Sequence, residues 1–273
     1  MSRLNGISWG DSAIDLVLPK PKAPTVLLVD QDRMEFQDSL LRMVANELSE
    51  SRPVHWIDGG MAFDPSPLLT LLRIRGCDNH KALSKFHICR GFTAHQTASI
   101  IQRLANEANS KDSPNRMREG RIIVISEIPR MFMDTQLKKP EGRSLLKATL
   151  QRCRDISKDS KSLVILTSSR NSSPPLSKEM RNILREFSDD TLRVSEIRLK
   201  KFNRGLIRNR LHLSSVNRQM IWAQLPLGQT SLLEYRHIQA SRLDCLFEPA
   251  ATSSSFQPKG DSMDVAARTA SGV

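Results

Sequence analysis

Hydrophobic positions along this 273-residue chain change period in a regular way, and each change marks an element. Thr25-Val26-Leu27-Leu28-Val29 is an unbroken apolar, β-branched run with Asp30 and Asp32 behind it, the pattern of a strand buried on both faces of a parallel sheet. Phe36, Leu40, Leu41, Met43, Val44 and Leu48 then recur at helical spacing, which predicts an amphipathic helix from about Glu35 to Glu50, closed by Pro53. The same reading gives a strand over Val54 to Ile57, a helix over Ser66 to Arg75 and a strand over Phe86 to Cys89. A helix over Thr93 to Glu107 follows, with Ala94, Ile100, Ile101, Leu104 and Ala105 facing inward. After a polar, turn-rich stretch from Asn109 to Arg118 comes the most apolar strand, Arg121 to Ile125, then a helix over Gly142 to Ile156 and a buried strand over Ser162 to Thr167. Strand and helix alternate with short connections, so the fold class is α/β: a mostly parallel, twisted sheet flanked by helices.

Beyond Ser168 the pattern changes. Ser169 to Leu176 is a Ser/Pro/Asn-rich loop and Lys178 to Phe187 a helix, after which Thr191 to Leu199 and Leu206 to Leu213 alternate apolar and polar residues around Asn203-Arg204-Gly205. These predict a C-terminal antiparallel hairpin, and a last strand is expected near Thr230 to Tyr235. The chain therefore divides into a lead segment, 1–24, packed on the domain edge, one core domain, 25–249, and a disordered tail, 250–273, of small polar residues.

Composition adds limits. Hydrophobic residues at 39% and charged residues at 26% are those of an ordinary folded protein. Cys77, Cys89, Cys153 and Cys245 are widely spaced without a C-x-x-C pair, which reads as reduced intracellular thiols. Met1 to Asn5 leads into polar sequence with no apolar leader core, and no later run approaches a membrane span. A cytoplasmic location is expected, nucleoid-associated, or nuclear in a eukaryote. Lys and Arg number 41 against 29 Asp and Glu, a formal charge of +12, and that surplus points to a polyanion, DNA first, because neutralised phosphates release counterions.

Two motifs carry a resemblance. Ile57-Asp58-Gly59-Gly60-Met61-Ala62-Phe63-Asp64-Pro65-Ser66-Pro67-Leu68 is similar, without a gap, to the I-D-T-E-x-x-F-x-P-x-x-L motif of RecA-like strand-exchange recombinases, in their archaeal and eukaryotic branch. Cys89-Arg90-Gly91-Phe92-Thr93-Ala94-His95-Gln96 resembles that family's A-R-A-F-T-x-x-x-Q. The resemblance spans roughly Thr25 to Tyr235 and implies a RecA-like, P-loop-type core. It also implies an ATP site, which this chain lacks residue by residue. Between Val29 and Leu40, a stretch that includes Gln37 and Asp38, there is neither Gly nor Lys, although a phosphate-wrapping loop needs both. Asp30, Asp32, Glu35 and Asp38 put negative charge there instead, partly offset by Arg33. The family's water-positioning Glu falls on Gly60, and its metal-side acid on Ser126. Glu127, one residue on, would point to the opposite side of a continuing strand. Asp58 reads as a turn cap, and Thr93 with Gln96 as a capping box.

In the family, loops after the acid-bearing strand and after the next strand face DNA. Here these are Pro129 to Arg143, with Lys138, Lys139 and Arg143, and Ser168 to Arg185, with Arg170, Lys178 and Arg181. The densest basic cluster is at the hairpin, with Lys200, Lys201, Arg204, Arg208 and Arg210 around Phe202. Its alternative role is that of a charged edge which prevents strand-to-strand association. Cys77, His80, His87 and Cys89 do not have zinc spacing, and Met131 and Met133 around Phe132 read as core or subunit contacts. No catalytic residue, metal or cofactor is expected. The expectation is a non-catalytic recombinase paralogue, binding single-stranded or duplex DNA and a catalytic recombinase or sister paralogue as an accessory factor in DNA recombination and repair. A divergent DNA-dependent ATPase and a scaffold with no DNA role are the alternatives.

Overall fold

A computed structural model of the chain describes residues 6–60, 63–110, 121–172, 174–197 and 208–223. Its strands are β1 (Thr25–Gln31), β2 (Val54–Asp58), β3 (Phe86–Arg90), β4 (Ile122–Ser126), β5 (Leu163–Ser169), β6 (Asp190–Glu196), β7 (Arg208–Leu213) and β8 (Arg218–Ala223). Its helices are α1 (Ser12–Val17), α2 (Gln37–Ser49), α3 (Ser66–Ile74), α4 (Asn79–Leu83), α5 (Ala94–Asn109), α6 (Ile128–Met131), α7 (Lys139–Asp159) and α8 (Lys178–Glu186). The strands make one sheet in the order β3-β2-β4-β5-β1-β6-β7-β8. β3 through β6 run parallel and β7 and β8 antiparallel, so the mostly parallel sheet and the antiparallel β6–β7 hairpin are both present.

The continuous apolar runs sit where both sheet faces are covered. β1, β4 and β5 are buried along almost their whole length, and their side chains divide between two cores. Leu27, Val29, Val54, Trp56, Ile122 and Val124 pack under α1, α2, α3 and α4. Val26, Leu28, Ile57, Ile123 and Ile125 pack under α5, α6, α7 and α8. Thr93 caps α5 by accepting from Gln96 N at 3.2 Å, while Gln96 Oε1 accepts from Phe92 N at 3.0 Å, one residue before the cap itself.

Several expectations need adjustment. The lead segment goes deeper than an edge: Ile7, Trp9, Ile14 and Leu18 join the core beneath α2, and Asp11 accepts from Trp222 Nε1 at 2.9 Å across 211 positions of sequence. Pro129 to Arg143 is helical at both ends, in α6 and α7, with a loop only over residues 132–138. Pro129 and Pro140 each sit in a helix's first turn, where a missing N–H costs nothing and the fixed φ favours helix. Gly142 lets α7 press on the preceding loop, since a Cβ there would lie 2.4 Å from the Phe132 carbonyl oxygen. Met131 and Phe132 are core. Strand β8 was not anticipated. The last strand near Thr230 to Tyr235, the tail, the hairpin tip with Lys200, Lys201, Phe202 and Arg204, and most of Asn109 to Arg118 lie outside the described residues. Among the described residues no helix is long and apolar enough to cross a membrane.

Candidate functional site

Six parallel strands end on one edge, and β1 is where their order reverses, with β5 on one side and β6 on the other. Crevices at such a switch point are where α/β sheets take ligands. The four positions aligned above with nucleotide-contacting residues gather there. Gln37 and Asp38 begin α2 behind β1, Gly60 follows β2, and Ser126 ends β4.

The loop from β1 into α2 is filled from within. Phe36 is 0% exposed and packs edge-on between Trp9, at 6.1 Å, and Trp222, at 5.9 Å. Gln31 Oε1 accepts from Phe36 N at 3.0 Å, which takes up one of the amides that a helix N-terminus offers to an anion. The Glu35 carboxylate accepts from Arg33 N at 2.8 and 3.0 Å.

The acidic charge expected on this loop is largely balanced. Asp30, 1% exposed, pairs with Arg185 at 3.0 Å and more loosely with Arg170 at 3.7 Å. Arg170 also pairs with Asp32 at 2.8 Å and donates to the Val194 carbonyl at 2.7 Å. A buried carboxylate demands such partners: Arg170 and Arg185, rather than the expected Arg33, offset Asp30 and Asp32. Arg170 is accordingly only 8% exposed at its side chain, and its guanidinium clamps β1, β5 and β6 together instead of facing a loop surface.

Asp58 organises the next strand end. Its Oδ1 accepts from Gly60 N at 3.2 Å and from Ser126 Oγ at 3.3 Å, and its Oδ2 accepts from Phe63 N at 3.2 Å. Arg90 pairs with Oδ2 at 3.1 Å, and Trp56 Nε1 donates to Ser126 Oγ at 3.2 Å. Asp58 is therefore a turn cap and an ion-pair partner at once, while Ser126 is a linker between strands.

Glu127 is the residue that sequence reasoning set aside. β4 stops at Ser126, and Glu127 takes a left-handed φ of 50°, which swings its carboxyl into the edge and leaves it 5% exposed. The signal was present: Pro129 in a helix's first turn requires the strand to end before it. Glu127 N donates to Thr167 Oγ1 at 2.8 Å, Oε2 accepts from Ser169 N at 3.2 Å, and Ser169 Oγ lies 2.8 Å from Oε1. The same Ser169 hydroxyl reaches the Arg33 carbonyl. A side chain added at Gly60 would meet Glu127 Cβ at 3.0 Å and Cγ at 3.2 Å, so the Glu127 stem fills the space in front of Gly60. Burial pushes the Glu127 carboxyl above its ordinary range, against the hydrogen bonds from Ser169, Gln31 and Thr167.

The basic candidates are distributed around this edge. Lys138 and Lys139 are exposed at the start of α7, and Arg143 one turn later forms an ion pair with Glu179. Lys178 is exposed and Arg181 half-buried on α8. Arg208 and Arg210 lie on β7. Arg130, exposed on α6, donates to the Gly60 carbonyl at 3.1 Å. Between the end of the outer strand and α5, Arg90, Phe92, His95, Ile100 and Arg103 line an open groove of about 620 Å³.

Other chemistry finds little footing. Among the described residues no three His, Cys, Asp or Glu side chains come together as a metal-holding group; His87 instead stacks on His55 at 4.8 Å. Cys77, Cys89 and Cys153 are free thiols, and burial pushes that of Cys153 up to about 12, far from a reactive thiolate. No family model matches the chain, and no characterised protein matches its sequence.

Proposed function

We propose that this chain is a non-catalytic relative of the RecA-like recombinases that binds DNA and a catalytic recombinase or sister paralogue, acting as an accessory factor in recombination and repair. The observation that carries the proposal is the self-filled edge: Phe36, Gln31 and Glu127 are buried and hydrogen-bonded at the strand ends that the resemblance would give to a nucleotide. Adjacent parallel strands β2, β4, β5 and β1 bring every position of the compared ATP site to this edge, which supports the resemblance while its reactive residues are replaced. A DNA role is supported by the +12 charge and by Lys138 and Lys139 at a helix N-terminus, where the helix dipole disfavours cations. Such a placement serves an external anion better than it serves the helix. A protein partner is supported by the outer strand β3, whose Ile88 and neighbouring Phe92 are 43% and 62% exposed.

Two titrations test this reading. Labelled ATP with Mg²⁺ should show no binding in the micromolar range; micromolar affinity would favour the divergent ATPase, for which Asp58 and Glu127 are the acids beside Gly60. Labelled DNA should bind with an affinity that falls steeply as salt rises. No binding at low salt would leave only the scaffold.

A further inference from the structure

On one side of the sheet, the side chains of its last three strands are half-buried or exposed, and among the described residues no helix is packed over them. Register places Thr191, Arg193 and Ser195 of β6, Arg208, Arg210 and His212 of β7, and Gln219, Ile221 and Ala223 of β8 on a common face. Leu28 and Asp30 of β1 stand level with Thr191 and Arg193, so this is the face that α5, α7 and α8 cover further along. On the opposite face of the same strands, Leu192, Val194, Leu211, Leu213 and Trp222 are core. The uncovered face carries no Asp or Glu from β6, β7 or β8, since Asp190 and Glu196 fall on the other side of the alternation. Arg193 and Arg210 are exposed, and among the described residues no carboxylate pairs with Arg193, Arg208 or Arg210. Ile221, 64% exposed, lies across from Arg210.

A strand face this rich in arginine and free of acids is not what a solvated surface needs, because mixed charge gives solubility with less self-repulsion. We infer that the open face of β6, β7 and β8 binds single-stranded nucleic acid, with Arg193, Arg208 and Arg210 on its phosphates. This rests on the DNA-binding reading above and adds a sheet surface to the loops that carry that binding. Three reasons favour a single strand. Arg208 and Arg210 are two residues apart on one strand, about 7 Å by strand rise, an interval comparable to that between successive phosphates of an extended strand. Three strands at about 4.8 Å spacing make a flat strip roughly 10–14 Å across, matched to one chain and narrower than a duplex. Ile221 and Ala223 give unpaired bases an apolar floor, beside the His212 ring and guanidinium planes on which bases also stack. An acidic polypeptide would use the charges but leave that floor without a role.

Fluorescence anisotropy with a labelled oligothymidylate tests this, using wild type, R193E/R210E, the neutral R193A/R210A and, as the loop control, K138E/K139E, each checked for an unchanged circular-dichroism melt. Both substituted positions are exposed, so the variants should fold. R193E/R210E should lose tenfold or more in affinity, and R193A/R210A should flatten the log affinity against log salt slope by about 1.4, two phosphates' worth for a single strand. Affinity unchanged in both face pairs but reduced in K138E/K139E would overturn this inference and leave the DNA-binding reading standing. A wild type that binds no nucleic acid would overturn both. Duplex competing better than single strand, or polyglutamate displacing the oligonucleotide from wild type but not from R193E/R210E while the face pairs keep full oligonucleotide affinity, would reassign the face to another partner.

Discussion

Glu127, Ser169 and Arg33 present a problem of proton supply. The Ser169 hydroxyl lies within hydrogen-bond reach of both Glu127 Oε1 and the Arg33 carbonyl, and it has one proton for two acceptors. A protonated Glu127 resolves this, donating to Ser169 Oγ while Ser169 donates to Arg33. Burial, which raises the carboxyl's affinity for its proton, works in the same direction. The folded-state value therefore lies above the ordinary 4.5, so the folded chain holds the proton to higher pH than the unfolded chain does. The stability associated with that proton is fully present below about 4.5 and is lost as pH rises through the folded value. Glu127→Gln mimics the protonated acid at every pH. It should be more stable than wild type near pH 7 by on the order of 1 kcal/mol, with the difference shrinking as pH falls towards 4, as read by urea denaturation across that range. A variant less stable than wild type at neutral pH would mean that the carboxylate is held charged.

At the scale of elements, the β1-to-α2 connection shows what sequence pattern conveys and what it cannot. Periodicity located β1 and α2 because an apolar run and a helical stripe each report a single element's own burial. Neither reports what the connecting loop does once Trp9 and Trp222, from opposite ends of the described chain, close on Phe36. Asp30 and Asp32 read as free negative charge for the same reason: Arg170 and Arg185, which neutralise them, arrive from across the sheet. Glu127 was legible in principle through Pro129, while β8 was obscured because Met220 and Trp222 alone carry its inward face. The aromatic contact predicts that Phe36→Ala loses about 3–5 kcal/mol of unfolding free energy in urea, with the folded variant keeping its DNA affinity. A loss below about 1 kcal/mol would show that the loop stays closed without Phe36.

Across the whole molecule, the two sides of the sheet differ in what they present. One side is built from α1 to α4, with Lys81 and Lys85 exposed near α4. The other is built from α5 to α8 and continues into the bare face of β6 to β8, with Lys138, Lys139 and Lys178 exposed and Arg193 and Arg210 beyond them. If the +12 surplus acted only as a diffuse cloud, bound DNA would take many orientations and cover every exposed lysine about equally. A binding face instead excludes reagent from the lysines it covers. Acetylation footprinting with saturating oligonucleotide should therefore protect Lys138, Lys139 and Lys178 several-fold while Lys81 and Lys85 react as in the free protein. Equal protection on both sides would mean that the charge attracts nucleic acid without orienting it, and that no surface of this sheet is specialised for the task.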